Sequence, residues 1–351
     1  MQRARRNGEV GRFRPPALDF RYDEPDVGHD KVRLHFNENL FLPDEYYDIV
    51  MPRASPPDLR YYTDPHNARL SKRIEEFHGL PGGTVLVTAG ADEGLRLAMS
   101  LAAHASADKS LAVIEPTYAM ASILARQLGL GVTVTKFRED LSLDVDEIAR
   151  LGVSAVYVCS PNNPTAHVVR ELEDLAARLE GLLIYDAAYA EFAGYWIPKF
   201  YEYGNVVEVR TFSKAWGLAG LRVGYVVAPK HVIELMKSLS LPHPVSALSA
   251  KAVECALDAG RPYVERSIRE AEAVREWAVR QIGADKYHGP VNFVTLKLPD
   301  ARRVAAFLEG RGFVVRVIEG RPLCNSCLRF TLAPIPVMRE FVSALKIALG
   351  E

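Results

Sequence analysis

Cysteine is scarce in this chain, with four in 351 residues. Cys159 and Cys255 stand alone, and Cys324 and Cys327 form a single C-x-x-C. A structural zinc site ordinarily needs a second such pair or nearby histidines. The nine histidines are scattered and no H-E-x-x-H occurs, so no metal is expected. The C-x-x-C then reads as two ordinary thiols in a reducing cytoplasm. Long hydrophobic runs are missing as well. The longest, such as the one ending at Cys159, fall well short of the roughly 20 residues that cross a bilayer, so no membrane partner is expected. Neither charge dominates: 43 lysines and arginines meet 44 acidic residues, which excludes nucleic acid as a main partner. No G-x-G-x-x-G occurs, which removes the dinucleotide fingerprint. Arg3, Arg5, Arg6, Arg12 and Arg14 crowd the first residues, yet no apolar stretch follows them as a secretory signal requires, and Glu9 and Asp19 weaken a transit-peptide reading. Residues 1–35 read as a Pro- and Arg-rich arm.

What is present is an ordinary globular composition, 48% hydrophobic and 25% charged, long enough for two domains. Seven short apolar runs alternate with helical patterns: Thr84–Thr88, Ser110–Ile114, Val132–Lys136, Ala155–Cys159, Leu182–Tyr185, Val206–Val209 and Val223–Val227. Runs rich in β-branched residues on both faces belong to a buried, largely parallel sheet covered by helices. The expected fold class is therefore α/β, with a mostly parallel seven-stranded sheet domain over residues 36–245. Beyond Pro242 and Pro244 the order changes to two helices, then strand, helix, two strands (Phe313–Ile318 and Leu328–Leu332) and a last helix. Residues 246–351 read as a smaller α+β domain.

Sheets of this kind bind ligands beyond the carboxyl ends of their strands. After the first run comes Gly90-Ala91-Asp92-Glu93-Gly94, a glycine opening a helix whose free N–H groups make an anion site. After the second comes Pro116-Thr117-Tyr118, an aromatic ring able to stack on a flat ligand. Ser160-Pro161-Asn162-Asn163-Pro164-Thr165 follows the fourth, its prolines fixing a turn that presents an amide side chain. Asp186 follows the fifth, three residues before Tyr189; an acid there needs a cation or a strong donor. The densest cluster follows the sixth run, from Thr211, Ser213 and Lys214 to Arg222 and Gly224. A lysine flanked by hydroxyls and an arginine suits an aldehyde that also bears a phosphate: the lysine forms a Schiff base and the others neutralise the dianion.

Together G-A-D-E-G, P-T-Y, S-P-N-N-P-T, D-x-x-Y and T-x-S-K-x-x-x-L-A-G-L-R-x-G resemble the fold type I pyridoxal-phosphate aminotransferases, nearest the histidinol-phosphate branch. The resemblance runs from Asn37-Glu38-Asn39 to Leu328-Arg329-Phe330. It implies pyridoxal 5'-phosphate on Lys214, with Asp186 pairing its pyridine nitrogen and Asn163 and Tyr189 at its 3-oxygen. Tyr118 would stack on the ring. Thr211, Ser213, Arg222 and the Ala91 and Asp92 amides would take the phosphate. Tyr62 would reach the same phosphate across a homodimer. Arg329 would grip a substrate carboxylate and Arg316 a substrate phosphate. The sequence departs from the resembled motifs at Leu40, Thr63, Ala166 and Ala187, and at Val317 and Ile318 after Arg316. The activity implied is transamination between histidinol phosphate and 2-oxoglutarate in histidine biosynthesis. The alternatives are an aromatic or broad-range amino-acid aminotransferase, a threonine-phosphate decarboxylase, and a cofactor-binding protein without turnover.

Overall fold

The computed structural model describes residues 30–198, 200–283 and 287–350. Its main sheet contains all seven expected strands: β1 (Val85–Thr88), β2 (Ser110–Glu115), β3 (Gly131–Lys136), β4 (Ala155–Cys159), β5 (Leu182–Asp186), β6 (Val206–Thr211) and β7 (Gly224–Val227). They lie in the order β1-β7-β6-β5-β4-β2-β3. Every pairing is parallel except those of β7, which runs against both β1 and β6. Strands β1, β4, β6 and β7 are buried along their whole length. Helices cover both faces, as sheets of this kind require. On one side Leu95, Ala98, Leu124 and Ile233 pack on Val113, Ile184 and Val226; on the other Ile148 and Leu175 pack on Val156 and Leu183. Each fully buried aliphatic side chain contributes about 1.5–3 kcal/mol over its exposed state.

Register brings the chemistry to one edge. Cys159 pairs with Asp186, Asp186 with Val209, and Thr211 with Gly224, which also pairs with Thr88. The carboxyl ends of β1, β4, β5 and β6 therefore share a rim with the first residue of the reversed strand.

The second unit is a three-stranded antiparallel sheet of β8 (Phe293–Lys297), β9 (Arg316–Arg321) and β10 (Cys324–Thr331), in the order β9-β10-β8. Helices Arg261–Ile282, Ala301–Glu309 and Ile335–Leu349 enclose its core around Phe330, Phe341 and Leu345. Ala247–Cys255 runs through a π-turn at Ala256–Gly260 straight into Arg261–Ile282.

Two expectations are corrected. The single run Phe313–Ile318 is two strands, because the chain changes partner at Val315. Phe313–Val314 pairs in parallel with Val32–Arg33, whereas Arg316–Arg321 pairs with β10. Cys324 and Cys327 are joined by a disulfide rather than standing as two thiols. Their Cα atoms lie 5.5 Å apart at the start of β10, and both residues are buried beside Tyr287. Of the arm, residues 1–29 lie outside the described residues.

Candidate active site

A cavity of about 310 Å³ opens at the rim, between the large sheet and the three-stranded unit. Its wall includes eleven of the thirteen expected site residues: Ala91, Asp92, Tyr118, Asn163, Asp186, Tyr189, Thr211, Ser213, Lys214, Arg222 and Arg329.

Lys214 arrives there because β6 ends at Thr211 and the following turn is pinned from below. Phe212 and Trp216 are buried in the core, the Leu218 N–H donates to the Phe212 carbonyl, and Gly217 N–H donates to Lys214. The lysine Nζ donates to the Phe36 carbonyl at 2.6 Å and lies 5.9 Å from the centre of the Tyr189 ring. Burial, and then the Arg329 charge, lower its pKa to about 8. A substantial fraction is thus the neutral amine near physiological pH.

Asp186 is the last residue of β5 and is buried. One carboxylate oxygen accepts from the Tyr157 hydroxyl at 2.7 Å, the other from the Ala188 N–H at 3.1 Å. Burial outweighs both bonds and pushes the acid up to about 6. A buried carboxylate of this kind gains most from a cationic partner.

Asn163 and Tyr189 are held by second residues. The Asn163 Oδ1 accepts from Arg329 Nη1 at 2.5 Å, and the Tyr189 hydroxyl accepts from Asn37 Nδ2 at 2.8 Å. Asn37 itself is buried with φ of 56°, a left-handed conformation that asparagine tolerates better than most residues, and its N–H donates to Thr331 Oγ1. Arg329 Nη2 donates to the His35 carbonyl at 2.6 Å, so one guanidinium ties β10, the Asn163 turn and the segment leading to Asn37. In that turn Ala166 keeps a left-handed φ of 61° although the resembled motif has glycine there.

The anion cradle forms around the start of helix Gly90–Ala105. Gly90 has φ of 78°, a left-handed conformation that favours glycine, and the Arg222 guanidinium lies over it. The Tyr118 hydroxyl donates to Asp92 Oδ1 at 3.2 Å, and Arg222 Nη2 stands 3.5 Å from Asp92 Oδ2. Thr211 Oγ1 accepts from the Ser213 N–H at 3.1 Å. The Ser213 hydroxyl is buried without a hydrogen-bond partner.

Two expected residues lie elsewhere. Tyr62 is 87% exposed, stacks on His243 and borders a separate surface depression. Arg316 sits on β9 directly across the ladder from Arg329 but is not part of the cavity wall. Sequence reasoning missed Tyr157, the hydroxyl that supports Asp186; its signal was a lone polar group inside the apolar run Ala155–Cys159. It also missed His35, which lines the cavity.

The arrangement therefore offers a depressed amine, a buried acid awaiting a cation, an anion cradle and a guanidinium, all in one chamber. Residues 29–345 match the family model for aminotransferases of class I and II. The histidinol-phosphate aminotransferase of Pyrococcus furiosus is 31% identical over 92% of this chain and 94% of its own length. That of Thermococcus kodakarensis is 36% identical over 84% and 86%. Among solved structures, histidinol-phosphate aminotransferase from Sinorhizobium meliloti in complex with pyridoxal 5'-phosphate superposes with a TM-score of 0.83, at 22% identity over 93% of this chain and 95% of that one, a likeness of fold.

Proposed function

The chain belongs to the aminotransferases of class I and II, and from that membership we propose that it transfers an amino group from histidinol phosphate to 2-oxoglutarate, a step of histidine biosynthesis. Its cofactor is pyridoxal phosphate. The observation that carries the reading is the convergence of Lys214, Asp186 and Arg329 on one cavity from three separate strands: Lys214 just beyond β6, Asp186 at the end of β5 and Arg329 within β10.

The residues present fit that cofactor. The buried Ser213 hydroxyl lacks a partner that a phosphate oxygen would provide, and Asp186 is an acid whose burial calls for a cation. When bound, pyridoxal phosphate supplies an aldehyde that condenses with amines and a ring that spreads the charge left on a substrate carbon. Thr211, Ser213, Arg222 and the N–H groups of Ala91 and Asp92 would hold its phosphate at the helix start. Asp186 would accept a hydrogen bond from the ring nitrogen and keep that nitrogen protonated, with Tyr157 and the Ala188 N–H fixing the carboxylate. Asn163 and Tyr189 would meet the ring 3-oxygen, and Tyr118 would flank the ring face. Lys214 Nζ, depressed toward neutrality, would take the proton from the substrate α-carbon and return it on the other side of the exchange. Arg329 would bind the anionic end of each substrate in turn, a task its planar donor set suits.

A second copy of the chain would supply Tyr62 to the phosphate, which would account for an exposed tyrosine outside its own cavity wall; C2 symmetry is the expected arrangement. We place the enzyme in the cytoplasm as a homodimer. Among the described residues no helix is long and apolar enough to cross a membrane. The test is stopped-flow absorbance of the cofactor-loaded protein mixed separately with histidinol phosphate, glutamate and phenylalanine. Fast loss of the cofactor's visible band with the first two, and slow loss with phenylalanine, is expected. Conversion by amino acids alone would move the substrate to the broad-range reading.

A further inference from the structure

His35 has no role in the scheme above, yet its surroundings are unusual. The residue is 1% exposed, lines the active-site cavity, and has no hydrogen-bond partner on either ring nitrogen. A buried imidazole left unpaired costs free energy that folding alone does not return. Its carbonyl is the one that Arg329 Nη2 holds at 2.6 Å, and its ring lies 3.9 Å from that of Phe36, whose carbonyl receives Lys214. Adjacent carbonyls of this segment thus hold the substrate-binding arginine and the lysine. Burial, followed by the charges of Arg33, Arg329 and Arg316, lowers its pKa to about 4. It is neutral at physiological pH, with one nitrogen a donor and the other an acceptor.

We propose that His35 is a specificity residue for the phosphorylated substrate, donating its ring N–H to a phosphate oxygen that Arg329 does not reach. The inference rests on the function proposed above. A guanidinium pairs side-on with two oxygens, which satisfies a carboxylate. A phosphate monoester presents a third peripheral oxygen at the same end and needs one more donor. A neutral imidazole provides it without adding a fourth positive charge to the three arginines around it. The same chamber must also accept a carboxylate, so a donor that matters more for phosphate than for carboxylate separates the two substrates.

The experiment compares wild type, His35→Phe and His35→Gln as cofactor-loaded enzymes, after circular dichroism, melting and the cofactor absorbance establish that each is folded and loaded. Half-reactions with histidinol phosphate and with glutamate give an apparent dissociation constant for each, and calorimetric titration with inorganic phosphate gives a readout independent of turnover. His35→Phe is expected to weaken histidinol phosphate at least about tenfold more than glutamate, as for one hydrogen bond to a charged group. Inorganic phosphate should weaken in parallel, and His35→Gln, which keeps an N–H donor, should recover most of the loss. Equal losses toward both substrates, or unchanged phosphate affinity in folded His35→Phe, would overturn the proposal. A wild-type enzyme that ignores histidinol phosphate while converting glutamate would instead refute the proposed function.

Discussion

Removing the single hydroxyl of Tyr157 tests how the site keeps its buried acid charged. That hydroxyl donates to Asp186 at 2.7 Å and opposes the burial that lifts the acid to about 6. Tyr157→Phe keeps the ring in place and leaves only the 3.1 Å bond from the Ala188 N–H. A hydrogen bond to a charged group is worth about 1.5–3 kcal/mol, which raises the acid by roughly one to two further pH units. In the proposed arrangement the ring nitrogen of the cofactor would pair with the ionised acid, so apparent affinity would fall in proportion to the fraction protonated. With the acid at about 6 in wild type and about 7–8 in the variant, cofactor affinity should drop about five- to fiftyfold at pH 6. Because a raised carboxyl pKa withholds the charged form only below that pKa, the difference should vanish by about pH 9. Absorbance titration of the apoprotein with pyridoxal phosphate from pH 6 to 9 measures it. A deficit of the same size at every pH would refute the reasoning and make Tyr157 a packing residue.

Three other outcomes follow from buried charge and from the thiols. Arg210 is fully enclosed and donates to Glu208 at 2.6 Å and Glu191 at 3.2 Å, both also buried. Arg210→Met strands two acids and should cost about 3–5 kcal/mol in urea unfolding; a loss under about 1 kcal/mol would mean the acids find protons or water instead. Lys214 is lowered from 10.5 to about 8. Its burial therefore penalises the folded apoprotein fully below about pH 8, and that penalty is relieved as pH rises from about 8 to about 10.5. Relative to Lys214→Met, the wild-type apoprotein should gain about 3 kcal/mol across that window, read from unfolding midpoints; parallel curves would place the lysine in contact with water. Thiol labelling in denaturant without reductant should find two reactive cysteines, Cys159 and Cys255, and two more only after reduction. Four at the outset would restore the paired thiols expected for a reducing compartment.

The strands of the large sheet were legible because burial on both faces leaves a local mark: Ala155–Cys159 is apolar throughout, and its ends as read from the sequence are those observed. The loops were legible for a related reason. A strand end followed by glycine, proline or a polar cluster is where such a sheet places ligands, and Gly90, Asn163, Asp186 and Lys214 all lie at one rim. The break at Val315 was not legible, since a run of apolar residues does not say which partner each will pair with. Nor was the disulfide: three residues of separation allow it, but the local sequence does not say whether the two sulfurs will meet.

The local chain thus sets which residue types stand at each strand end, because backbone propensity and burial pattern act over a few neighbours. Which of those residues meet is a matter of contacts across great sequence distance. Lys214 finds the Phe36 carbonyl 178 residues away, and Arg329 finds Asn163 across 166. Tyr157 reaches Asp186 only because β4 and β5 pair in one particular register. The charge states of Lys214 and Asp186 are decided last, by the desolvation that only the closed cavity wall imposes.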